Sequence, residues 1–233
     1  MTIDRSIKYL PVLIIAVILA ACSSAPPFVE EKIVVDPLRF MPLVKQYMSA
    51  DSTSMPAPGS LLFVGSSSIQ GWKSLEEYLS EVEVLNRGMG GSHMSDLIYH
   101  MDNVVYPYEP SAIFVYEGDN DIASGKTPET VLNDYITFTI KVYNTWPELP
   151  IYFISIKPSL ARIQHIENMA RANALIKTHI ESLEGQFYVD IFTPMLGEDG
   201  TPRPDIFGHD GLHMNEIGYA IWAKEIKRVL GLE

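Results

Sequence analysis

Cysteine is almost absent from this sequence. Cys22 is the only one among 233 residues, so no disulfide can form within the chain. The fold must therefore depend on its hydrophobic core, and a chain of this length with 47% hydrophobic residues can build a sizeable one as a single domain. Since Cys22 lies beside an apolar N-terminal segment and no other cysteine exists, the rest of the chain offers no catalytic thiol.

Basic residues are scarce as well. The chain has 17 lysines and arginines against 29 aspartates and glutamates, which gives a formal net charge of -12. No cluster of basic residues offsets this charge locally, so a surface for nucleic acid or for an anionic membrane is excluded. The acidic residues are scattered, which is typical of a solvated surface.

Long apolar runs are missing except at the N-terminus. Residues 10–21 form an apolar stretch after Arg5 and Lys8. The stretch is too short and wrongly flanked for a membrane span, but it fits an export signal. Its end, "LAAC" at 19–22, resembles the lipobox of bacterial lipoproteins. This resemblance implies a signal peptide over 1–21 and a lipid anchor on Cys22.

The lipobox resemblance also predicts a location. The residue after Cys22 is Ser23 rather than Asp, which by similarity to Gram-negative lipoproteins favours the outer membrane, with the protein facing the periplasm. The alternative is an N-terminal anchor helix that is retained. Either arrangement tethers the protein to a membrane of the bacterial cell envelope.

The rest of the chain divides into a tether and a domain. Residues 22–58 hold a polar, proline-containing tether, a predicted helix near 36–50 and a linker, and the domain is expected over 59–233. Within the domain, short apolar runs alternate with longer segments of helical periodicity. The runs lie at 61–64, 82–86, 112–116, 151–156 and 187–192, and the clearest helical segments at 127–145, 161–184 and 214–230. This alternation predicts an α/β fold with a parallel sheet covered on both faces.

Glycine, hydroxyl and amide residues follow the first three runs. These stretches are "GSSS" at 65–68, "NRGMGGSHM" at 86–94 and "EGDNDIASG" at 117–125. In a parallel sheet the C-terminal ends of the strands share one edge, where ligands bind. The sequence therefore predicts a functional site at this edge.

The stretch "HDGLHMNEIGYA" near the C-terminus supplies an acid and a base. Asp210 and His213 are three residues apart, which in a turn lets the carboxylate accept the Nδ1–H of the imidazole while Nε2 faces outward. Such a base could activate a serine of the 65–68 stretch. Gly91 and Asn120 are candidate donors to an oxyanion, through a backbone and a side-chain N–H respectively.

These blocks, in this order, resemble the SGNH or GDSL hydrolase family from about residue 60 to the end. The resemblance implies a three-layer α/β sandwich with a flavodoxin-like, five-stranded parallel sheet. It also implies that Ser67 is the nucleophile of a Ser67–His213–Asp210 triad. The N–H groups of Ser67, Gly91 and Asn120 would form the oxyanion hole, and neither a cofactor nor a metal would be required.

One block departs from the family pattern. The usual Gly-Asp-Ser reads Gly-Ser-Ser here, with Ser66 in place of an acid that mostly supports the loop. Ser66 and Ser68 are expected to be turn residues that bond to local backbone. The segment "SIKPSLAR" also resembles a stretch found in some members, so Ser159 and Arg162 line the substrate pocket or belong to a surface loop.

Other interpretations of the same residues stay open at this level. A strand followed by glycine and serines can bind phosphate at a helix start, but no lysine follows. His209 and His213 with nearby aspartates suggest a metal site, but a third histidine at ligand spacing is lacking. Among the remaining side chains we expect His93 at the rim of the site. We expect surface positions for His100, His165 and His179, and packing roles for Trp72 and Tyr116.

The expected activity is hydrolysis of a carboxylic ester through an acyl-enzyme on Ser67. A non-catalytic binding lipoprotein and an acyltransferase are the alternatives on the same fold. The resemblance extends to lysophospholipases, thioesterases, arylesterases and carbohydrate deacetylases, so lipid, carbohydrate and small-molecule acyl esters are all candidate substrates.

Overall fold

A five-stranded parallel sheet lies at the centre of the protein. The computed structural model describes residues 36–232. The strands lie side by side in the order β2-β1-β3-β4-β5, and every neighbouring pair is parallel. This is the flavodoxin-like order, and it confirms the predicted fold class. The strands are β1 Leu61–Gly65, β2 Val84–Gly88, β3 Ala112–Tyr116, β4 Ile151–Ile154 and β5 Gln186–Val189.

Helices flank the sheet. The α-helices are α1 Met41–Thr53, α2 Ser67–Gln70, α3 Leu75–Tyr78, α4 Met94–Val104, α5 Asp119–Ala123, α6 Pro128–Thr145, α7 Ile166–Glu181 and α8 Glu216–Leu230. Four 3-10 segments accompany them: Pro37–Phe40, Leu160–His165, Thr193–Met195 and Pro204–Ile206. The segment predicted as one helix over 161–184 is divided, because Arg162 has non-helical backbone angles before α7 begins.

Side chains of β1 show how both faces of the sheet are buried. Leu62 and Val64 enter a core with residues of α1, α4, α6 and α7. Leu61 and Phe63 point the opposite way, into a second core that includes residues of α3 and α8. Successive strand side chains alternate between faces, so an uninterrupted apolar run is what a strand with two buried faces requires.

The segment before β1 packs on the first of these cores. Phe40 and Val44 are buried there, and the ring Nε2 of His100 lies 2.8 Å from the carbonyl oxygen of Pro37. The prediction that His100 is a surface residue is therefore wrong, because the N-terminal segment covers it. The domain boundary at residue 59 stays a prediction.

The proposed signal peptide and Cys22 lie outside the described residues. Within residues 36–232, no helix has the length and apolar character needed to cross a membrane.

Gly65 ends β1 where the chain passes very close to β3. Its φ is +136°, and a Cβ added there would lie 2.0 Å from the carbonyl oxygen of Tyr116. The next residue, Ser66, donates its N–H to that same oxygen at 3.1 Å. A glycine is required here because both the space and the backbone angle exclude a side chain. This close approach places Ser67 at the first position of α2.

We predict that Gly65→Ala lowers the free energy of unfolding by more than about 3 kcal/mol, since the methyl group must displace β3 backbone. Gly59→Ala is the matched control, because Gly59 also has a positive φ (+93°) but open space around its Cβ position. Its loss should be about 1–2 kcal/mol, from the backbone angle alone. Urea unfolding measures both, and equal losses would contradict the steric argument.

Candidate active site

One of the three serines after β1 reaches the surface. Ser66 and Ser68 are buried, whereas Ser67 is partly exposed. Ser66 precedes α2 with extended backbone angles, and Ser67 begins the helix. The sharp change from strand to helix thus turns the Ser67 hydroxyl outward while its neighbours face the interior.

The side chains of Ser67, His213 and Asp210 form a continuous hydrogen-bonded series. His213 Nε2 lies 3.1 Å from Ser67 Oγ, and His213 Nδ1 lies 2.6 Å from Asp210 Oδ2. The structure therefore brings the Asp210–His213 pair to Ser67, which lies 146 positions before His213 in the sequence. Because Nδ1 faces the carboxylate, Nε2 is the ring nitrogen available to the serine proton.

Asp210 is fixed by its own loop. Its Oδ1 accepts the backbone N–H groups of Leu212 and His213, both at 3.0 Å. The hydrogen bond from the His213 ring, followed by these two backbone bonds, holds the pKa of Asp210 well below its usual value. Its side chain is 39% exposed, so solvent and these hydrogen bonds together favour the charged carboxylate. It can both orient the imidazole and stabilise the imidazolium.

The glycine-rich loop after β2 lies beside Ser67. A Cβ added to Gly90 would be 3.8 Å from Ser67 Cβ, and Gly91 is exposed with a φ of +82°. Gly91 thus presents bare backbone in the loop that passes beside Ser67.

Asn120 is held in one orientation from both ends of its amide. Its Nδ2 donates to the Ser92 carbonyl oxygen at 2.9 Å, and Arg162 Nη2 donates to its Oδ1 at 2.8 Å. If the amide were flipped, its oxygen would face the Ser92 carbonyl oxygen and its NH₂ group would face the Arg162 guanidinium. The observed orientation is therefore the only one that satisfies both partners. The second N–H of the Asn120 amide has no partner among residues 36–232.

Sequence reasoning missed the ion-pair network behind Asn120. Asp119 Oδ2 lies 2.9 Å from Lys157 Nζ and 3.1 Å from Arg162 Nη1. Burial alone would raise the pKa of Asp119, but these two cations and the hydrogen bond from the Asn120 backbone N–H lower it below its usual value. A lysine at the end of an apolar strand, on the edge where Asp119 also lies, was the available signal.

This network explains why Ser66 is acceptable in place of the family's acid. Ser66 Oγ lies 3.5 Å from Asp119 Oδ1. A carboxylate at position 66 would face that of Asp119 across a buried space, and the two charges would repel each other. In this chain the acid is supplied from the end of β3 instead.

Three further expectations can be compared with the structure. Ser159 is buried, and Arg162 is mostly buried against Asp119, so the surface-loop interpretation of this segment is wrong. His93 does not form an exposed rim, because it is buried at the start of α4. Trp72 and Tyr116 are buried packing residues, as predicted.

Among residues 36–232, no three His, Cys, Asp or Glu side chains are grouped so that they could hold a metal ion.

Glu117 is a fully buried acid beneath the glycine loop. Its Oε1 accepts a hydrogen bond from the Ser92 hydroxyl, and its Oε2 has no partner. Burial, followed by the nearby charge of Asp121, raises the pKa of Glu117 well above its usual value. Burial therefore favours the uncharged form of the Glu117 side chain beneath this loop.

We predict that Glu117→Gln stabilises the protein increasingly as pH rises above 4.5, the ordinary glutamate value. Below that pH the folded and unfolded forms are both protonated. Above it the unfolded chain ionises while the folded one does not, so the wild type loses stability by up to about 1.4 kcal/mol per pH unit until the folded pKa is reached. Glutamine cannot ionise and escapes this loss.

Denaturant unfolding from pH 4 to pH 9 tests this prediction. Glu148→Gln, at an exposed position, is the control and should change stability little at any pH. If Glu117→Gln changed the free energy of unfolding by the same amount at every pH, this would show that Glu117 ionises in the folded protein as it does in the unfolded chain.

The chain matches a known protein family over most of its length. The sequence model of the GDSL-like Lipase/Acylhydrolase family matches residues 58–221. No curated protein sequence matches the chain at a significant level.

Solved structures share the fold. A candidate platelet activating factor from Streptococcus pneumonia has a TM-score of 0.73 at 22% identity, covering 82% of this chain and 92% of that one. A GDSL-like lipase from Bacteroides thetaiotaomicron has a TM-score of 0.67 at 18% identity, covering 81% and 97%. A variant of an acetyl-xylooligosaccharide esterase from Geobacillus Stearmophilus has 0.62 at 18% identity, covering 75% and 96%. Because the family match spans more than half of the sequence, and the fold agrees with these structures, the chain belongs to the GDSL-like lipase/acylhydrolase family.

Proposed function

We propose that the protein is a serine esterase that cleaves carboxylic esters through an acyl-enzyme on Ser67. Family membership supports ester hydrolysis in general. The observation that carries the finer proposal is the unbroken series from Ser67 Oγ through the His213 ring to the Asp210 carboxylate.

The chemistry follows from this geometry. His213 Nε2 accepts the proton of Ser67 as Oγ attacks the acyl carbonyl carbon, and the carbonyl oxygen becomes an oxyanion. Backbone N–H groups of Ser67 and Gly91 and the free N–H of Asn120 stabilise that charge. The C–O bond to the alcohol then breaks, and the alcohol leaves with the proton from His213. A water molecule, deprotonated by His213, hydrolyses the acyl-enzyme and regenerates Ser67.

The same geometry weighs against a purely binding protein. A binding module has no need of an imidazole oriented by a charged carboxylate and aimed at a hydroxyl. An acyltransferase would use the same residues but must exclude water from the acyl-enzyme. The open position of the triad, with the His213 side chain 50% exposed, favours hydrolysis.

Exposure of the triad also bears on the substrate. A large alcohol part can approach Ser67 without entering a closed cavity, which suits lipid headgroups and acetylated carbohydrates alike. Hydrolysis rates for a series of esters from acetate to palmitate would separate the two classes. A preference for acetate would favour carbohydrate deacetylation, and a preference for long chains would favour a lipid.

The central prediction concerns Ser67. Purified residues 23–233 should hydrolyse 4-nitrophenyl acetate, and Ser67→Ala should lower kcat about a thousandfold or more because no other residue can form the acyl-enzyme. An active-site-directed organophosphate should add its mass to Ser67 in the wild type.

Ser68→Ala and Ser66→Ala serve as neighbouring controls and should lose less than about tenfold. A wild-type-like rate for Ser67→Ala, or covalent labelling of a different serine, would overturn the proposed mechanism.

We also propose that the protein is anchored in the outer membrane through lipid on Cys22. Support comes from the "LAAC" stretch and from Ser23. Two or more acyl chains hold a protein stably on a membrane. Cys22→Ser should therefore abolish incorporation of labelled palmitate in cells and leave the specific activity on a soluble ester unchanged. Wild-type protein that takes up no label and is found free in the medium would refute the anchor.

A further inference from the structure

The segment that precedes the family-matched region contacts the glycine-rich loop after β2 directly. Residues 36–53 lie before residue 58, where the family match begins. Three polar contacts join this segment to the end of β2 and the loop after it. They are Arg39 Nη2 to the Gly91 carbonyl oxygen at 3.1 Å, the Tyr47 hydroxyl to the Gly88 carbonyl oxygen at 2.6 Å, and Asp51 to Arg87 at 2.5 Å.

The contact of Arg39 is one of two hydrogen bonds on either side of the peptide that joins Gly90 to Gly91. Gly90 donates its N–H to Gln70 Oε1 at 2.9 Å, and Gly91 accepts a hydrogen bond from Arg39. The peptide that carries the Gly91 N–H lies between these two bonded groups. Two adjacent glycines leave a peptide plane unusually free to rotate, so its direction must be set by bonds from outside.

Arg39 is itself held rigidly enough to do this. Its Nη2 also lies 2.9 Å from Asp96 Oδ2, and its guanidinium lies 4.7 Å from the centre of the Phe40 ring. Asp96 is buried in the first turn of α4 and also accepts the N–H of His93 at 2.9 Å. Arg39 thus links the carbonyl of Gly91 to a fixed carboxylate in the helix that follows the loop.

We propose that Arg39 is a positioning residue: by holding the Gly91 carbonyl oxygen it limits rotation of the preceding peptide, so that the Gly91 N–H faces the developing oxyanion. The proposal rests on the proposed esterase function. Arg39 does not touch the reacting atoms and acts through Gly91. The N-terminal segment therefore supplies part of the catalytic geometry, in addition to packing on the core.

The test compares Arg39→Ala and Arg39→Lys in the full soluble chain, residues 23–233. Arg39→Ala should lower kcat on 4-nitrophenyl acetate about tenfold and leave KM within about twofold, because a loosened donor weakens binding of the transition state but not of the ester. Affinity for phenylboronic acid, which forms an oxyanion adduct on the serine, should fall by a similar factor. Arg39→Lys should recover part of both losses, since an ammonium can still donate to the Gly91 carbonyl oxygen.

Arg171→Ala is the matched control, because Arg171 is also an exposed arginine paired with a carboxylate, that of Glu129. It should leave kcat and boronate affinity unchanged. Thermal unfolding of all variants shows whether the folded fraction is equal at the assay temperature.

Three results would overturn the proposal: an unchanged kcat in Arg39→Ala, a rise in KM with kcat retained, or a loss of kcat explained entirely by unfolding. Ser67→Ala separates this failure from that of the esterase mechanism. If Ser67→Ala is inactive while Arg39→Ala is normal, the positioning role alone is refuted. If Ser67→Ala remains active, the esterase mechanism itself fails, and with it the basis for this role.

Discussion

The buried carboxylate of Asp119 is the constraint on which the site depends. An ionised group with so little exposure to solvent is stable only when it is paired and hydrogen-bonded. Removal of one partner of such a pair typically lowers the free energy of unfolding by about 3–5 kcal/mol. Lys157 and Arg162 come from the chain after β4, and Ser66 comes from the end of β1. The need to neutralise one charge thus fixes three strand ends together at the edge where Ser67 lies.

This arrangement gives the two sides of the site different supports. The proposed oxyanion side depends on distant parts of the chain, since Asn120 is oriented by Arg162 and by the carbonyl of Ser92. The base side depends on one short loop, in which Asp210 accepts both the ring and the backbone N–H of His213. The side with Asn120 is thus held by tertiary contacts, and the side with Asp210 and His213 is held largely by local ones.

That difference also decides what could be predicted from sequence. Apolar runs such as 61–64 and 112–116 reveal strands because burial on both faces leaves a local pattern, and the Asp210–His213 spacing is informative for the same reason. The partners of Arg162 and Arg39 could not be predicted, because they lie 42 and 52 positions away along the chain and no local pattern points to them. The burial of His100 escaped prediction because a segment 63 positions earlier covers it.

Ionic strength should distinguish these two supports. At 0.1 M salt, solvent-exposed charges more than about 10 Å apart are largely screened from each other, whereas buried pairs are screened much less. Lys157 and Asp119 have side chains only 1% and 3% exposed, whereas those of His213 and Asp210 are 50% and 39% exposed. Added salt therefore acts little on the buried pair. On the exposed side it weakens mainly the attraction or repulsion of distant charges for the His213 ring, because the 2.6 Å contact with Asp210 is much shorter than the screening distance. The two sides of the site thus differ in how far ions of the surrounding solution can reach them.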